Sequence, residues 1–133
     1  MQKQLKRYKD FGFGLWAIVL KKNGEMIGQC GITMQEYNDM LVPEVGYLLA
    51  YKHWHKGYAI EAATACRDYG FSALHFDAMY SIIRDNNIAS QKVAIRNGMI
   101  PIDSVVKHYR GEEMPHKVYR INASCFSDNK AVQ

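Results

Sequence analysis

The first half of the chain carries runs of apolar and aromatic residues separated by turn residues, which is typical of β-strands. Asn23-Gly24 is the strongest short signal for a hairpin turn, because both residues tolerate a positive φ. Asn38-Asp39 and Pro43 punctuate the chain further on. The predicted strands are Leu15 to Lys21, Met26 to Met34 and Glu44 to Ala50. The first two should therefore form an antiparallel hairpin.

After the third strand the apolar spacing changes to that of a helix. The segment from about Gly57 to Leu74 has this spacing, and Asn87 to Asn97 has it again, with Gly98 at the C-cap position. The predicted strands of this half are Met79 to Arg84, Val105 to Tyr109 and Lys117 to Asn122, the last two paired around Gly111 and Pro115. Residues 1–10 contain helix formers and predict a short helix before Gly12 and Gly14.

This order of elements predicts one domain over residues 1–133, of the α/β (α+β) class. A strand–helix–strand unit in the middle should give a parallel pair, while the flanking pairs are antiparallel. We therefore expect a mixed central sheet of about six strands with helices on both faces. The polar residues 127–133 should be a disordered tail.

Composition favours an ordinary globular protein, with 48% hydrophobic and 23% charged residues among 133. The three cysteines have no metal-ligand spacing, and their odd number argues against a disulfide framework. No run approaches the ~20 apolar residues that a membrane span needs. We expect a cytoplasmic protein without a membrane partner.

The net charge of +4 is concentrated at the start, where residues 1–10 contribute +3. Such a run is more often a solvated helix face than a nucleic-acid site, and the rest of the chain has no broad basic surface. We do not expect a nucleic-acid partner. Salt-dependent binding that vanishes without residues 1–9 would show the opposite.

The segment between Ala50 and Ala62 is the best candidate for chemistry. It combines a strand end, an aromatic and basic loop, Gly57 and the start of a helix. The first turn of a helix has unpaired N–H groups and a positive dipole end, which together favour a phosphate. From these residues alone, a plain strand-to-helix turn is the alternative.

Three motifs in this order resemble those of the GNAT acetyltransferases, in particular the branch with the ribosomal-protein-alanine N-acetyltransferases. The loop Trp54 to Ala62 is similar to the family's Trp-Gly-Lys-Gly-Tyr-Ala-x-Glu-Ala. Glu44-Val45-Gly46-Tyr47 matches the Glu-x-Gly-Tyr strand before it, and Asn87, Ser90 and Gly98 match the later Asn, Ser and Gly. The resemblance covers about Leu15 to Ala123.

The resemblance implies acetyl-CoA as co-substrate and no metal. It implies that the pantetheine arm pairs with backbone groups of one strand and that the pyrophosphate binds N–H groups of the loop and helix. The implied cofactor-binding residues are Leu48, Leu49, Ala50, His55, Lys56, Gly57, Tyr58, Ala59, Ile60, Asn87 and Ser90.

Two side chains are candidates for catalysis. Glu44 is the candidate base that takes a proton from the amine, and Ser90 resembles the residue that protonates the departing thiolate. A backbone N–H near Leu48 would stabilise the oxyanion. The structural alternatives are a solvent-facing strand start for Glu44, a helix N-cap for Asn87 and a first-turn polar residue for Ser90.

The chain departs from the family pattern at two points. His55 occupies the position of the loop's first glycine, and we expect it to lie with His53 on the surface near the phosphates. The family's usual first strand and helices are largely missing, so either the chain is a fragment or a partner chain completes the acceptor site, and a homodimer stays open. The five histidines are scattered and predict no zinc site, while Cys30 and Cys66 are expected in the core.

The predicted function is direct transfer of an acetyl group from acetyl-CoA to a primary amine. The acceptor is a protein N-terminal α-amino group or a small-molecule amine. The alternative is a non-catalytic acyl-CoA-binding or sensor module with a degenerate acceptor site.

Overall fold

The computed structural model describes residues 2–6, 15–54 and 56–124. Seven strands form one sheet in the order β1-β2-β3-β4-β5-β7-β6, and every described neighbouring pair is antiparallel except the parallel pair β4–β5. The strands are β1 Gln2–Lys6, β2 Leu15–Val19, β3 Met26–Tyr37, β4 Met40–Leu49, β5 Ala78–Arg84, β6 Ile100–Tyr109 and β7 Glu112–Asn122. The helices are α1 Tyr58–Ser72 and α2 Ile88–Arg96, and a short 3-10 turn spans Tyr51–His53. The predicted α/β class and mixed sheet are confirmed.

The predicted hairpin turn lies where the sequence placed it. Gly24 has a φ of 72°, and its N–H donates to the Leu20 carbonyl at 2.8 Å. The Leu20 N–H in turn donates to the Glu25 carbonyl at 2.9 Å, which closes the turn between β2 and β3. The Asn23-Gly24 prediction is confirmed.

Pro43 lies inside β4 and not before it as predicted, because the strand begins at Met40 and not at Glu44. Asn38 and Asp39, with φ of 51° and 62°, form the tight turn from β3 to β4. The Ala50 N–H donates to the Ile27 carbonyl, so Ala50 forms a hydrogen-bonded pair with β3. In an antiparallel ladder only alternate residues bond to the same neighbouring strand, so the backbone N–H and C=O groups of the odd residues from Pro43 to Leu49 point away from β3. The nitrogen of Pro43 therefore interrupts no hydrogen bond between β3 and β4.

The predicted helix at the start of the chain is wrong for residues 2–6, which form β1. Gln2 lies opposite Val19 and Lys6 opposite Leu15, so this segment pairs along the whole of β2. Pairing with a neighbouring strand overrides helix propensity, which is a weak local preference. Residues 7–10, also within that prediction, lie outside the described residues, as does the predicted tail from 127 to 133.

Both described helices lie on the same face of the sheet. Residues of α1 and α2 share one buried cluster with inward side chains of β2 to β5 and β7, including the cysteines Cys30 and Cys66. A second cluster on the other face consists of Val42, Tyr80, Ile82 and Val118. Helices were expected on both faces of the sheet. In the part of the chain that the structure describes, both helices lie on one face. No helix among these residues is long and apolar enough to cross a bilayer.

Candidate functional site

The two central parallel strands separate soon after they meet. Strand β4 pairs with β3 at ten positions but with β5 at one described position, Glu44 opposite Tyr80. Past this point two side chains bond to backbone groups across the gap. The Glu44 carboxylate accepts the Ile82 N–H at 2.7 Å, and the Ser81 hydroxyl donates to the Val45 carbonyl at 3.2 Å. Backbone groups that the ladder leaves unpaired are thereby satisfied, and the strands stay apart.

A cavity of about 650 Å³ lies between the end of β4 and the N-termini of the two helices. The end of β4 and the loop after it line this cavity with Tyr47, Leu48, Leu49, His53 and Trp54. The start of α1 contributes Gly57, Tyr58, Ala59 and Ile60, and α2 with its cap contributes Asn87, Ile88, Ala89, Ser90, Lys92, Val93 and Arg96. Its size is that of a pocket for a small molecule or cofactor.

Gly57 is the N-cap of α1 and adopts a left-handed conformation with φ 81°. The Glu61 N–H donates to the Gly57 carbonyl at 3.2 Å, so the N–H groups of residues 58–60 point out of the helix end. A Cβ built on Gly57 would meet no described atom within 4 Å. The positive φ therefore explains why a glycine is present here. Because glycine has no side chain, the space beside the N-terminus of α1 stays open, and a helix N-terminus favours an anion.

The end of β4 determines which backbone groups face the cavity. The Ala50 N–H donates to Ile27 and its carbonyl accepts the His53 N–H, both at 2.9 Å, while the Trp54 indole N–H donates to the Leu49 carbonyl at 3.0 Å. By the alternation established above, Leu48 directs its backbone toward β3. The N–H groups of Tyr47 and Leu49 are turned toward the opening.

Asn87 and Ser90 lie together at the start of α2. The Asn87 side chain accepts the Ser90 N–H at 3.2 Å, as the N-cap interpretation expected, and both residues also line the cavity. The Tyr47 hydroxyl donates to Ser90 Oγ at 3.2 Å. Burial raises the pKa of Tyr47, with the bond to Ser90 opposing that rise, so the phenol is protonated at neutral pH.

The contact between Tyr47 and Ser90 was not predicted from the sequence, in which Tyr47 was named only as part of the Glu-x-Gly-Tyr match. The two residues are 43 positions apart, and no local pattern relates them. The Glu-x-Gly-Tyr match was the available signal, since it put a tyrosine on the strand that faces the cavity.

The Glu44 carboxyl group lies at the vertex where β4 and β5 part. Burial raises its pKa, while the Ile82 N–H and the charge of Lys107 lower it by less. Such a carboxyl group is a better proton acceptor near neutrality than an exposed glutamate. The interpretation of Glu44 as a mere solvent-facing residue does not describe its half-buried, hydrogen-bonded position.

His53 is buried rather than on the surface, with 7% of its area exposed. Neither ring nitrogen has a hydrogen-bond partner among the described residues, and Nε2 is 3.8 Å from Glu25 Oε2. His53 ends the 3-10 turn after β4, and its side chain lies next to the Tyr58 ring. Lys56 is exposed and is not among the cavity-lining residues, and His55 lies outside the described residues.

Within residues 15–54 and 56–124, no group of three histidine, cysteine or acidic side chains is placed to hold a metal ion.

Comparison with known proteins gives one consistent family. Residues 1–100 match the model of the acetyltransferase (GNAT) domain. An uncharacterized protein of Bacillus subtilis (strain 168), YkkB, is 46% identical over 91 residues, which are 68% of this chain and 53% of YkkB. An uncharacterized N-acetyltransferase of Bacillus licheniformis, p20, is 35% identical over 78 residues, or 59% of this chain and 43% of p20.

Among solved structures, an acetyltransferase from Agrobacterium tumefaciens str. C58 is similar with a TM-score of 0.67 and 36% identity. The match covers 84% of this chain and 62% of that one. The chain thus spans about half the length of the curated relatives that it matches.

Proposed function

Because the chain belongs to the GNAT acetyltransferase family, we propose that it binds acetyl-CoA between β4 and β5 and transfers the acetyl group to a primary amine. The observation that carries this proposal is the left-handed Gly57 cap. It places the N-terminus of α1 beside a cofactor-sized cavity at the end of β4, which shares Tyr47 and Ser90 with a smaller cavity between β4 and β5.

The predicted cofactor residues fit this proposal with one refinement. The pyrophosphate takes the N–H groups of residues 58–60, with Gly57 allowing close approach and Lys56 and His55 as further predicted contacts. The N–H groups of Tyr47 and Leu49 face the cofactor, one for a pantetheine carbonyl and the other for the thioester oxygen, since the backbone of Leu48 and Ala50 is engaged toward β3. Leu48 then lines one side of the cleft and Asn87 and Ser90 line the other, while Ala50 is not among the lining residues.

The proposed chemistry is direct attack of the amine nitrogen on the thioester carbonyl carbon. The C–N bond forms, the C–S bond breaks, and the amine proton passes to Glu44 directly or through water. The Tyr47 N–H or the Leu49 N–H stabilises the oxyanion. Ser90 gives its proton to the thiolate, and the phenol of Tyr47, which donates to Ser90 Oγ, stabilises the charge that develops there.

The acceptor approaches from the face opposite the helices. On that face Gly46 lies opposite Gly31, next to Glu44, and a Cβ on Gly46 would meet no described atom within 4 Å. This bare backbone leaves room for an amine beside the vertex. The acceptor is a protein N-terminus, as in the ribosomal-protein-alanine branch that the motifs resemble, or a small-molecule amine.

A non-catalytic acyl-CoA-binding module is the second candidate. The observation that favours it is the 2.7 Å bond from the Ile82 N–H to the Glu44 carboxylate, which gives that carboxylate a structural role of its own.

Two measurements on the same preparation separate the candidates. Acetyl-CoA binding is followed by titration calorimetry, and CoA release is followed by a thiol reagent with spermidine, lysine and an alanine-initiated peptide as acceptors. Binding with turnover on any acceptor supports the enzyme. Binding without turnover on all three favours the module, and the absence of binding contradicts both.

A further inference from the structure

The hairpin of β6 and β7 curls back over the face of the sheet opposite the two helices. Ile102 and Val105 of β6 pack against the second buried cluster on that face. The Tyr37 hydroxyl donates to Asp103 Oδ2 at 2.7 Å and so joins the end of β3 to β6. Three strands separate β3 from β6 in the sheet order, so this bond requires the hairpin to reach across the face from which the acceptor approaches.

Lys107 lies on the inner side of this curled hairpin. Alternate residues of a strand share a face, so Lys107 has the same orientation as Asp103 and the packed Val105. Burial is the main influence on the pKa of Glu44 and raises it, while the charge of Lys107 acts in the opposite direction. The packing of the hairpin and this electrostatic effect together place the Lys107 ammonium group beside the vertex.

The charge of Lys107 is not neutralised by a neighbouring acid. This side chain is exposed and makes no ion pair with an acidic residue in the described part of the chain. Asp103, the one acidic residue of β6, is engaged elsewhere, because its carboxylate accepts the Tyr37 hydroxyl and, at 2.8 Å, the Ser104 N–H. The cation is therefore available to a ligand that enters beside Glu44.

The sheet next to Glu44 leaves room for a small ligand. Gly31 and Gly46 lie opposite each other, and a Cβ on Gly46 would meet no described atom within 4 Å. An amine that enters here meets the Glu44 carboxyl group and the Lys107 ammonium group. A polyamine is attracted by the first and repelled by the second, whereas a molecule with an anionic group beside its amine is attracted by both.

We propose that Lys107 selects the acceptor by binding the carboxylate of an amino acid whose amine lies at Glu44. This inference rests on the proposed function, because it names the acceptor class of the same site. A hydrogen bond between an ammonium group and a carboxylate is charge-assisted and therefore stronger than one between neutral groups. A polyamine or a peptide N-terminus has no carboxylate beside its amine and lacks this contact.

The transfer step is that of the proposed function. The amine nitrogen bonds to the thioester carbonyl carbon, the C–S bond breaks, and the amine proton passes to Glu44. The products are an N-acetyl amino acid and free CoA thiol, and no oxidant or further reactant is needed.

The test measures acceptor binding to the full chain saturated with CoA, which carries no acetyl group and so permits no turnover. Alanine, methionine and phenylalanine are each compared with their C-terminal amides by the shift of the Gly46 and Lys107 amide signals. At least one amino acid should bind about tenfold more tightly than its amide, as expected for one hydrogen bond between charged groups. Lys107→Gln should reduce this preference to about twofold or less, and Lys107→Glu should reverse it.

Lys117→Gln is the matched control for the loss of one charge. Lys117 is exposed in the same hairpin, but it lies opposite Ser104 and therefore faces the other side of the sheet. Its preference should equal that of the wild type, and comparison between variants cancels the difference in amine pKa between an amino acid and its amide. The proposal is overturned if no amino acid binds more tightly than its amide, or if Lys107→Gln keeps the preference. Failure of CoA itself to bind contradicts the proposed function instead.

Discussion

The two edges of β4 behave in opposite ways. Toward β3 the strand is paired at ten positions in unbroken register, whereas toward β5 it has one described pair and then an opening. Alternate residues of the strand serve the two edges, since the even positions bond to β3 and the odd positions turn toward the opening. One strand therefore anchors the sheet and at the same time presents unpaired N–H groups to a ligand.

The opening between β4 and β5 depends on side chains as well as on strand geometry. The Glu44 carboxylate and the Ser81 hydroxyl bond to backbone groups at the vertex, where a continued ladder would otherwise be favoured. Those same groups border the place where the proposed chemistry occurs.

Removing the carboxylate at the vertex should have the largest effect on activity. Glu44→Gln keeps an oxygen that can accept the Ile82 N–H but removes the proposed base, so we expect kcat/KM to fall about 10²-fold or more with the fold intact. Glu44→Ala, which also loses the hydrogen bond, should in addition lower Tm. Wild-type activity in Glu44→Gln would assign Glu44 a structural role alone.

The raised pKa of Glu44 predicts two pH dependences of known sign. The base acts only when deprotonated, so kcat/KM should fall as pH drops through the raised pKa, and this limb should vanish in Glu44→Gln. The folded chain also holds this proton at pH values where the unfolded chain, with a usual pKa of 4.5, has released it. Stability from this group is thus present at low pH and is lost as pH rises through the folded pKa. Denaturation of wild type and Glu44→Gln across pH checks the second sign.

The glycine at the mouth of the opening should control cofactor affinity. Gly57→Val puts a branched side chain beside the end of α1, and we expect acetyl-CoA to bind at least 100-fold more weakly. Gly111→Val is the matched control, since Gly111 has the same φ, 80°, and equally open surroundings in the turn between β6 and β7. Equal losses of affinity in both variants would indicate backbone strain, not a phosphate site.

Two glycines of the β3–β4 pair differ in the space that a Cβ would meet. A Cβ on Gly28 would clash with the backbone of Leu48 across the β3–β4 pair, so Gly28→Ala should lower the free energy of unfolding by ~2–3 kcal/mol. Gly46→Ala meets open space and should be neutral or stabilise the strand by ~0.5–1 kcal/mol. Urea denaturation compares them, and equal destabilisation would mean that the space beside the two glycines does not differ as described.

The smallest effect is expected when the hydrogen bond from Tyr47 to Ser90 is removed. Tyr47→Phe removes the phenol that donates to Ser90 Oγ, and kcat should fall about threefold to tenfold while the dissociation constant of acetyl-CoA stays within twofold. Tyr119→Phe, which removes a buried hydroxyl bonded to Gln91 on the other side of α2, is the control and should leave kcat unchanged. Equal kcat in all three proteins would exclude Tyr47 from the proton path.

Local signals predicted the parts of the site that are made by neighbouring residues. Asn23-Gly24 indicated the turn, in which Gly24 adopts a positive φ, and Asn87 indicated its helix cap through the Ser90 N–H three residues on. The glycine before α1 was visible in the same way. Each depends on interactions within a few positions of the chain.

Features formed by residues far apart in the sequence could not be predicted from local signals. The pairing of residues 2–6 with β2, the toleration of Pro43 inside β4 and the burial of His53 all depend on which neighbour lies across a strand or under a loop. The cavity of about 180 Å³ lined by Glu44, Ser81 and Ala94 is another case, because β4, β5 and both helices together form it. The spacing of apolar residues predicts which face of a helix or strand is buried, but not which element packs against that face.

Amide chemical-shift changes on adding acetyl-CoA test the central claim most directly. If the cofactor enters the opening of β4, the N–H signals of Tyr47, Leu49 and residues 58–60 should shift most, while those of Leu48 and the β6–β7 hairpin shift little. Shifts concentrated on β6 and β7, or equal along odd and even positions of β4, would contradict the account.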